Sequence, residues 1–226
     1  PPTPILSGLV GSEMCIRDSL EFAVSSFYDN QSSPQLIGSG EWKAGTALTF
    51  TAAYENGPAT AANISCGSWD SNLVLDSPYT SGTGASSAQN TDFPAAVGNS
   101  ITFQLNATKS SDTDTATTSV TFYNERCNGT STATSLDTAG INGLSSKVVT
   151  SGKNGTFTFS PSANEYIYIA YRAALGDSTF TVGGFVGGFE SRATVSHTNS
   201  KGFTENYYVY RSTNHSLAAG TEVVVS

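Results

Sequence analysis

From Leu20 onward, apolar residues recur at every second position in short runs, and Gly, Asn, Asp, Ser and Pro separate the runs. A period of two sends alternate side chains to opposite faces, which is the pattern of a half-buried strand. LEFAVSSFY (20–28), TALTFTAAY (46–54), NLVLD (72–76), SITFQLNAT (100–108) and TTSVTFYN (117–124) read this way, with shorter runs in QLIGSGEW and TAANISC. Leu48, Phe50 and Ala52 are expected on one face, as are Ile101, Phe103 and Leu105. Segment 77–90 reads as a loop and SSDTDTA as a turn. Roughly seven strands in about 105 residues predict an immunoglobulin-like sandwich over residues 20–126. Trp42 or Trp69 is its candidate core tryptophan, although the Cys…Trp…Cys spacing of antibody domains is missing.

ERCNGTSTATS (125–135) is polar and reads as a boundary. SLDTAGINGL can close one helical turn, with Ser135 or Asp137 as its cap and Gly143 as its stop. KVVT, GTFTFS, EYIYIAYR, STFTVGG, RATVSHT, TENYYVYR and TEVVVS then read as the strands of a second sandwich, residues 127–226. Asn154-Gly155 before Thr156 predicts a hairpin. The expected class is all-β, with two β-sandwich domains in tandem. Residues 1–19 share neither period nor composition with the rest of the chain and are expected to add nothing to the fold. No fixed repeat or heptad appears, so no fibre shaft is encoded.

Composition narrows the function. Charged residues are 12 % of the chain, against roughly a quarter in an average domain, and Ser, Thr, Gly, Asn and Ala fill the difference. That suits strands whose outward faces carry hydroxyls and amides. Net charge is −8 and the few Lys and Arg are scattered, so no basic stripe exists for nucleic acid. No apolar run approaches the roughly 18 residues of a membrane span, and membrane insertion is not expected. The three cysteines, Cys15, Cys66 and Cys127, show no Cys/His ligand spacing, so neither a metal nor another cofactor is expected. Cys66 and Cys127 each lie at a strand end and could pair.

Catalytic patterns are missing. No G-x-S-x-G elbow accompanies the two histidines. His197 is expected at the surface or as a cross-strand partner, and His215 in a solvated loop. Asp70, Asp76, Asp177, Glu190 and Glu205 form no pair by spacing that suggests a glycosidase. Asp112-Thr113-Asp114 could offer carboxylates to calcium but reads as a turn. The glycine pairs around Phe185 and Val186 lack the lysine and helix of a phosphate loop. They are expected instead to bend the backbone so that Phe185 and Phe189 both turn into the core. Tyr166/Tyr168 and Tyr208/Tyr210 each share a face, either as core or as an aromatic platform for a sugar or protein. The candidate binding residues are Trp69 and Tyr79, beside the 77–90 loop, together with Tyr208 and Tyr210.

Three segments carry a resemblance: VTFYNERCNGTSTATSLDTAGINGL, GTFTFSPSANEYIYIAYRAALGDSTFTVGGF and SHTNSKGFTENYYVYRSTNHSL. They resemble the carboxy-terminal region of tail-fibre or baseplate-type virion proteins of tailed bacteriophages. In those proteins an immunoglobulin-like module precedes a terminal β domain. The resemblance implies a non-enzymatic virion surface component, with other virion proteins and a host-surface glycan or receptor as partners. It also implies a carboxy-terminal fragment of a longer protein. Assembly in a reducing bacterial cytoplasm would keep Cys66 and Cys127 as thiols. GSEMCIRDS, within residues 1–19, resembles the adaptor-derived translations found at the ends of metagenomic reading frames. A bacterial carbohydrate-binding module or adhesin is the alternative reading, and a polysaccharide-degrading enzyme with a non-standard site the second.

Overall fold

A computed structural model describes residues 22–30, 32–39, 41–43, 48–66, 70–75, 84–88, 92–94 and 96–226. The expectations for residues 1–19, and for Trp69, Tyr79 and Asp76, lie outside them, as do the side chains of Trp42 and Asp70. The chain is all-β with one short α-helix among the described residues.

The described residues of the amino-terminal half hold ten strands. They are β1 (Ala23–Asp29), β2 (Gln35–Leu36), β3 (Glu41–Lys43), β4 (Leu48–Glu55), β5 (Ala61–Cys66), β6 (Asp70–Leu75), β7 (Gly84–Ala88), β8 (Asp92–Pro94), β9 (Ser100–Lys109) and β10 (Asp112–Tyr123). A three-stranded sheet, β1-β4-β7, faces a five-stranded sheet, β2-β10-β9-β5-β6, and β3 pairs with β8. Period two decides which side chains meet between the sheets. Ile101, Phe103, Leu105 and Ala107 of β9 are buried, as are Phe50 and Ala52 of β4. Phe50 and Phe103 cross from one sheet to the other edge to face, ring centroids 5.0 Å apart. The outward positions of β9 and β10 hold a polar ladder, with Ser100 to Thr121 at 2.7 Å and Thr102 to Ser119 at 2.9 Å.

Two segments differ from the sequence reading. Part of the 77–90 loop, Gly84–Ala88, pairs with β4 as an edge strand. SSDTDTA turns only at Ser110-Ser111, and β10 begins at Asp112. Asp114 accepts the Val24 amide at 2.7 Å, so its carboxylate ties β1 to β10.

The carboxy-terminal half begins with β11 (Glu125–Ser131) and α1 (Thr138–Asn142). After them come the strands β12 (Ser146–Val149), β13 (Gly155–Phe159), β14 (Tyr166–Arg172), β15 (Phe180–Val182), β16 (Phe185–Val186), β17 (Ala193–Thr198), β18 (Thr204–Arg211) and β19 (Thr221–Val225). The five-stranded sheet β12-β11-β14-β18-β17 packs on the four-stranded sheet β13-β19-β15-β16. Ile167, Ile169, Tyr171, Tyr210, Phe159, Phe180, Val223 and Val225 fill the space between them. The opposite face of the five-stranded sheet is also covered. There Cys127, Tyr168, Ala170, Tyr207 and Val209 pack with Leu136, Ile141 and Leu144 from α1 and its flanks. Asp137 caps α1 by accepting the Gly140 amide at 2.8 Å, and Gly143 ends it. A side chain at Gly129 would meet the Ser145 amide nitrogen at 2.8 Å, so glycine lets this cover lie close to the sheet.

ERCNGTS is therefore not a linker; it is β11, an interior strand paired with β12 and β14. Asn154-Gly155 makes no hairpin either, because β12 and β13 belong to different sheets. Arg126 holds that crossover, donating to the Asn154 carbonyl at 2.6 Å with its guanidinium 4.7 Å from the Phe157 ring centre. Among the described residues, no strand up to Tyr123 pairs with one from Glu125 onward. The halves touch through the turn after β17. Asn199 donates to the Ile37 carbonyl at 2.9 Å, and Phe203 packs against the amino-terminal core.

Burial raises the phenol pKa values of Tyr168 and Tyr171 above the ordinary 10.0. The folded state favours the neutral phenol, so the unfolded chain ionises first. Their contribution to stability is complete below about pH 10 and is lost as pH climbs through the folded-state values. We expect tyrosinate absorbance to rise in a cooperative step that coincides with loss of near-ultraviolet dichroism. A gradual titration of all ten tyrosines with the fold intact would contradict this packing.

Candidate functional site

The glycine-flanked segment after β15 forms the most exposed apolar feature among the described residues. Gly183 and Gly184 both have positive φ, +55° and +88°, which is the backbone of a two-residue type I′ hairpin. The turn sets Val182 opposite Phe185 and Thr181 opposite Val186. Phe185 is 81 % exposed and Val186 86 %. Adjacent strand residues point to opposite faces. Both faces of β16 are therefore open, and the ribbon projects from the edge of its sheet.

The base of this ribbon is fixed. The Gly187 amide donates to the Phe180 carbonyl at 2.8 Å, and the Thr213 amide to the Gly188 carbonyl at 2.9 Å. A second turn at Gly187 and Gly188 then sends Phe189 inward, where it stacks on Phe180 with centroids 4.3 Å apart. The expectation for this loop is half corrected. Phe189 packs against the core, whereas Phe185 lies outside it, because the chain turns back only after β16 is complete. Phe185→Ala is accordingly expected to change stability by less than about 0.5 kcal/mol, the range for surface positions. Chemical denaturation measures this, and a loss above about 2 kcal/mol would place the ring in a core.

The tyrosine platform does not form. Tyr210 is buried, and the Tyr208 ring carries the Arg192 guanidinium 3.8 Å from its centre. Arg192 pairs with Asp177, whose carboxyl its hydrogen bond holds below the ordinary range. Tyr166 is covered likewise, by Arg211 at 4.6 Å and by His215 edge-on. Tyr210 is thus a core ring and Tyr208 is capped by Arg192, and an open depression of about 310 Å³ is lined by Tyr210 and the Asp177–Arg192 pair. Two further carboxylates are also occupied: Glu190 with Arg211 at 2.6 Å and Glu205 with Arg172 at 2.8 Å.

His215 is exposed, as expected. His197 is not at the surface. It pairs across strands with Glu205, but its side chain is fully buried and points toward Glu125 and Cys127. Cys66 and Cys127 are not paired with each other and lie in separate cores. Burial, reinforced by Glu125, pushes the Cys127 thiol up to about 12, so it is protonated at neutral pH.

Among the described residues, no helix is long and apolar enough to cross a membrane. No protein-family description matches the chain, and a search of curated proteins finds no match.

Proposed function

We propose that this chain is a non-enzymatic surface module of a tailed-phage particle, and that the Phe185–Val186 tip is its contact with a partner surface. The observation that carries the contact is the tip itself. Burying a Phe or Val side chain is worth roughly 1.5–3 kcal/mol, and the fold forgoes this at two adjacent positions. A partner that covers both faces of the ribbon recovers it. The type I′ turn and the hydrogen-bonded base pre-set the tip, so little ordering entropy opposes docking.

The virion assignment is supported by the residue patterns of the three segments that begin at Val120, Gly155 and Ser196. A hydroxyl- and amide-rich surface with paired carboxylates supports a structural role over hydrolysis. The partners are other virion proteins or a host-surface glycan or receptor.

Mass spectrometry of density-banded particles, from a phage that carries this gene, tests the assignment. The chain is expected in the particles at a fixed ratio to the tail proteins. Its absence from particles of a phage that expresses it would overturn the proposal. Turnover of a polysaccharide panel by the purified chain would equally overturn the non-enzymatic part.

A further inference from the structure

We propose that Glu125, Cys127 and His197 form a buried binding site for one zinc ion. The three side chains bring an oxygen, a sulfur and a nitrogen within 4.8 Å of one another, and all three residues are buried. Glu125 and Cys127 lie two apart on β11 and so share a face. His197 comes from β17, at the far end of the run β11-β14-β18-β17. The sheet curls enough for its imidazole to cross over Tyr207, ring centroids 4.4 Å apart, and reach Glu125.

The distances favour an ion over a simple pair. His197 Nε2 and Glu125 Oε1 are 3.8 Å apart, too far for a hydrogen bond. Neither atom has another hydrogen-bond partner, although both are buried. Leaving a carboxylate oxygen and an imidazole nitrogen unpaired in a core is costly. Zinc, with bonds of about 2.0–2.3 Å in tetrahedral directions, holds its ligand atoms roughly 3.3–3.7 Å apart. The nitrogen–oxygen gap of 3.8 Å is a few tenths of an ångström wider than the roughly 3.3–3.5 Å that zinc sets between a nitrogen and an oxygen ligand, and thiolate, imidazole and carboxylate are zinc's usual donors.

The neighbouring hydrogen bonds prepare the histidine. Nδ1 lies 3.0 Å from Thr138 Oγ1, which also accepts the Thr198 amide at 2.8 Å and faces the Thr198 carbonyl at 3.4 Å. One tautomer satisfies Nδ1, the Thr138 hydroxyl and the Thr198 backbone together. Nδ1–H donates to Thr138, the Thr138 hydroxyl donates to the carbonyl, and Nε2 presents a lone pair toward Glu125. Metal-binding histidines are fixed in this way through their other nitrogen. Thr138 stands in the first turn of α1, so the helix that covers this face also orients the ligand. With the ligands enclosed, the ion is loaded as the chain folds.

The test uses the whole chain, unfolded with reductant and chelator and refolded with Zn²⁺, with Co²⁺ or with chelator alone. We expect about one metal per chain after exhaustive dialysis, a thiolate-to-cobalt charge-transfer band, and a higher melting temperature than the chelator-refolded chain. Cys127→Ala should lose the band and bind at least about tenfold more weakly, while Cys66→Ala keeps both. A wild-type chain that refolds without retaining either metal overturns the site, leaving a buried Glu–His pair. Full stoichiometry in Cys127→Ala also overturns it. Should that variant not fold, the wild-type cobalt spectrum decides alone, and bound cobalt without a thiolate band counts against the site.

Discussion

Phe180→Ala is expected to destabilise the carboxy-terminal half by about 3–5 kcal/mol. The ring is 6 % exposed, stacks on Phe189 at 4.3 Å and leans on Tyr210 at 4.7 Å between centroids. Its backbone pairs with Val225, a fully packed position of the adjacent strand. Truncation removes the transfer energy of the ring and opens a cavity that two rigid sheets cannot close. The loss is a large fraction of a domain's total of about 5–15 kcal/mol. It should also loosen the tip, because Phe189 rests on Phe180 and anchors the chain that returns from Val186. Guanidinium denaturation followed by near-ultraviolet dichroism gives the number. A cost under about 1 kcal/mol would mean that the two sheets do not pack through this ring.

Asn199→Ala is expected to cost about 2–4 kcal/mol, because it orphans several buried groups at once. Its amide nitrogen donates to the Ile37 carbonyl at 2.9 Å and to Asn124 Oδ1 at 3.0 Å. Its oxygen accepts the Lys201 and Phe203 amides at 2.9 and 3.1 Å. Two acceptors on one side and two donors on the other leave no freedom in the amide's orientation. Asn124 extends the network, accepting the Glu125 amide at 2.9 Å and donating to Glu205 at 2.7 Å. This one side chain therefore couples the amino-terminal half to the turn that seats Phe203. A fall in the denaturation midpoint, with faster proteolysis at 199–203, is the expected result. Unchanged stability and protection would show that the halves do not depend on this contact.

Period two was enough to place Phe50, Ala52, Ile101, Phe103 and Leu105, because the strands that carry them have one wet face. The stop of α1 at Gly143 was equally legible, and its cap was narrowed to Ser135 or Asp137, of which Asp137 caps it. The pattern fails where burial is two-sided. In β14, Ile167, Tyr168, Ile169, Ala170 and Tyr171 are all buried, so alternation says nothing about which face is which. It fails also for β11, whose polar composition hides the burial of Cys127, Asn128 and Gly129, with Cys127 packed beneath the cover that α1 and its flanks provide. Phe185 and Phe189 have the same local sequence, a glycine pair followed by phenylalanine, yet opposite environments. Only the strand pairing separates them. His197 is a third case, for its partners are about seventy residues away in sequence and meet it through sheet curl, which chain spacing does not encode.

The contact role of the tip is tested most directly by adsorption of the labelled chain to host cells, beside the Phe185→Ala, Val186→Ser double variant. The wild-type chain is predicted to bind saturably. The variant is predicted to lose at least about tenfold in affinity, the 1.4 kcal/mol or more expected from two apolar side chains, at an unchanged denaturation midpoint. Equal adsorption by the two proteins, with the fold intact in both, would contradict the contact role.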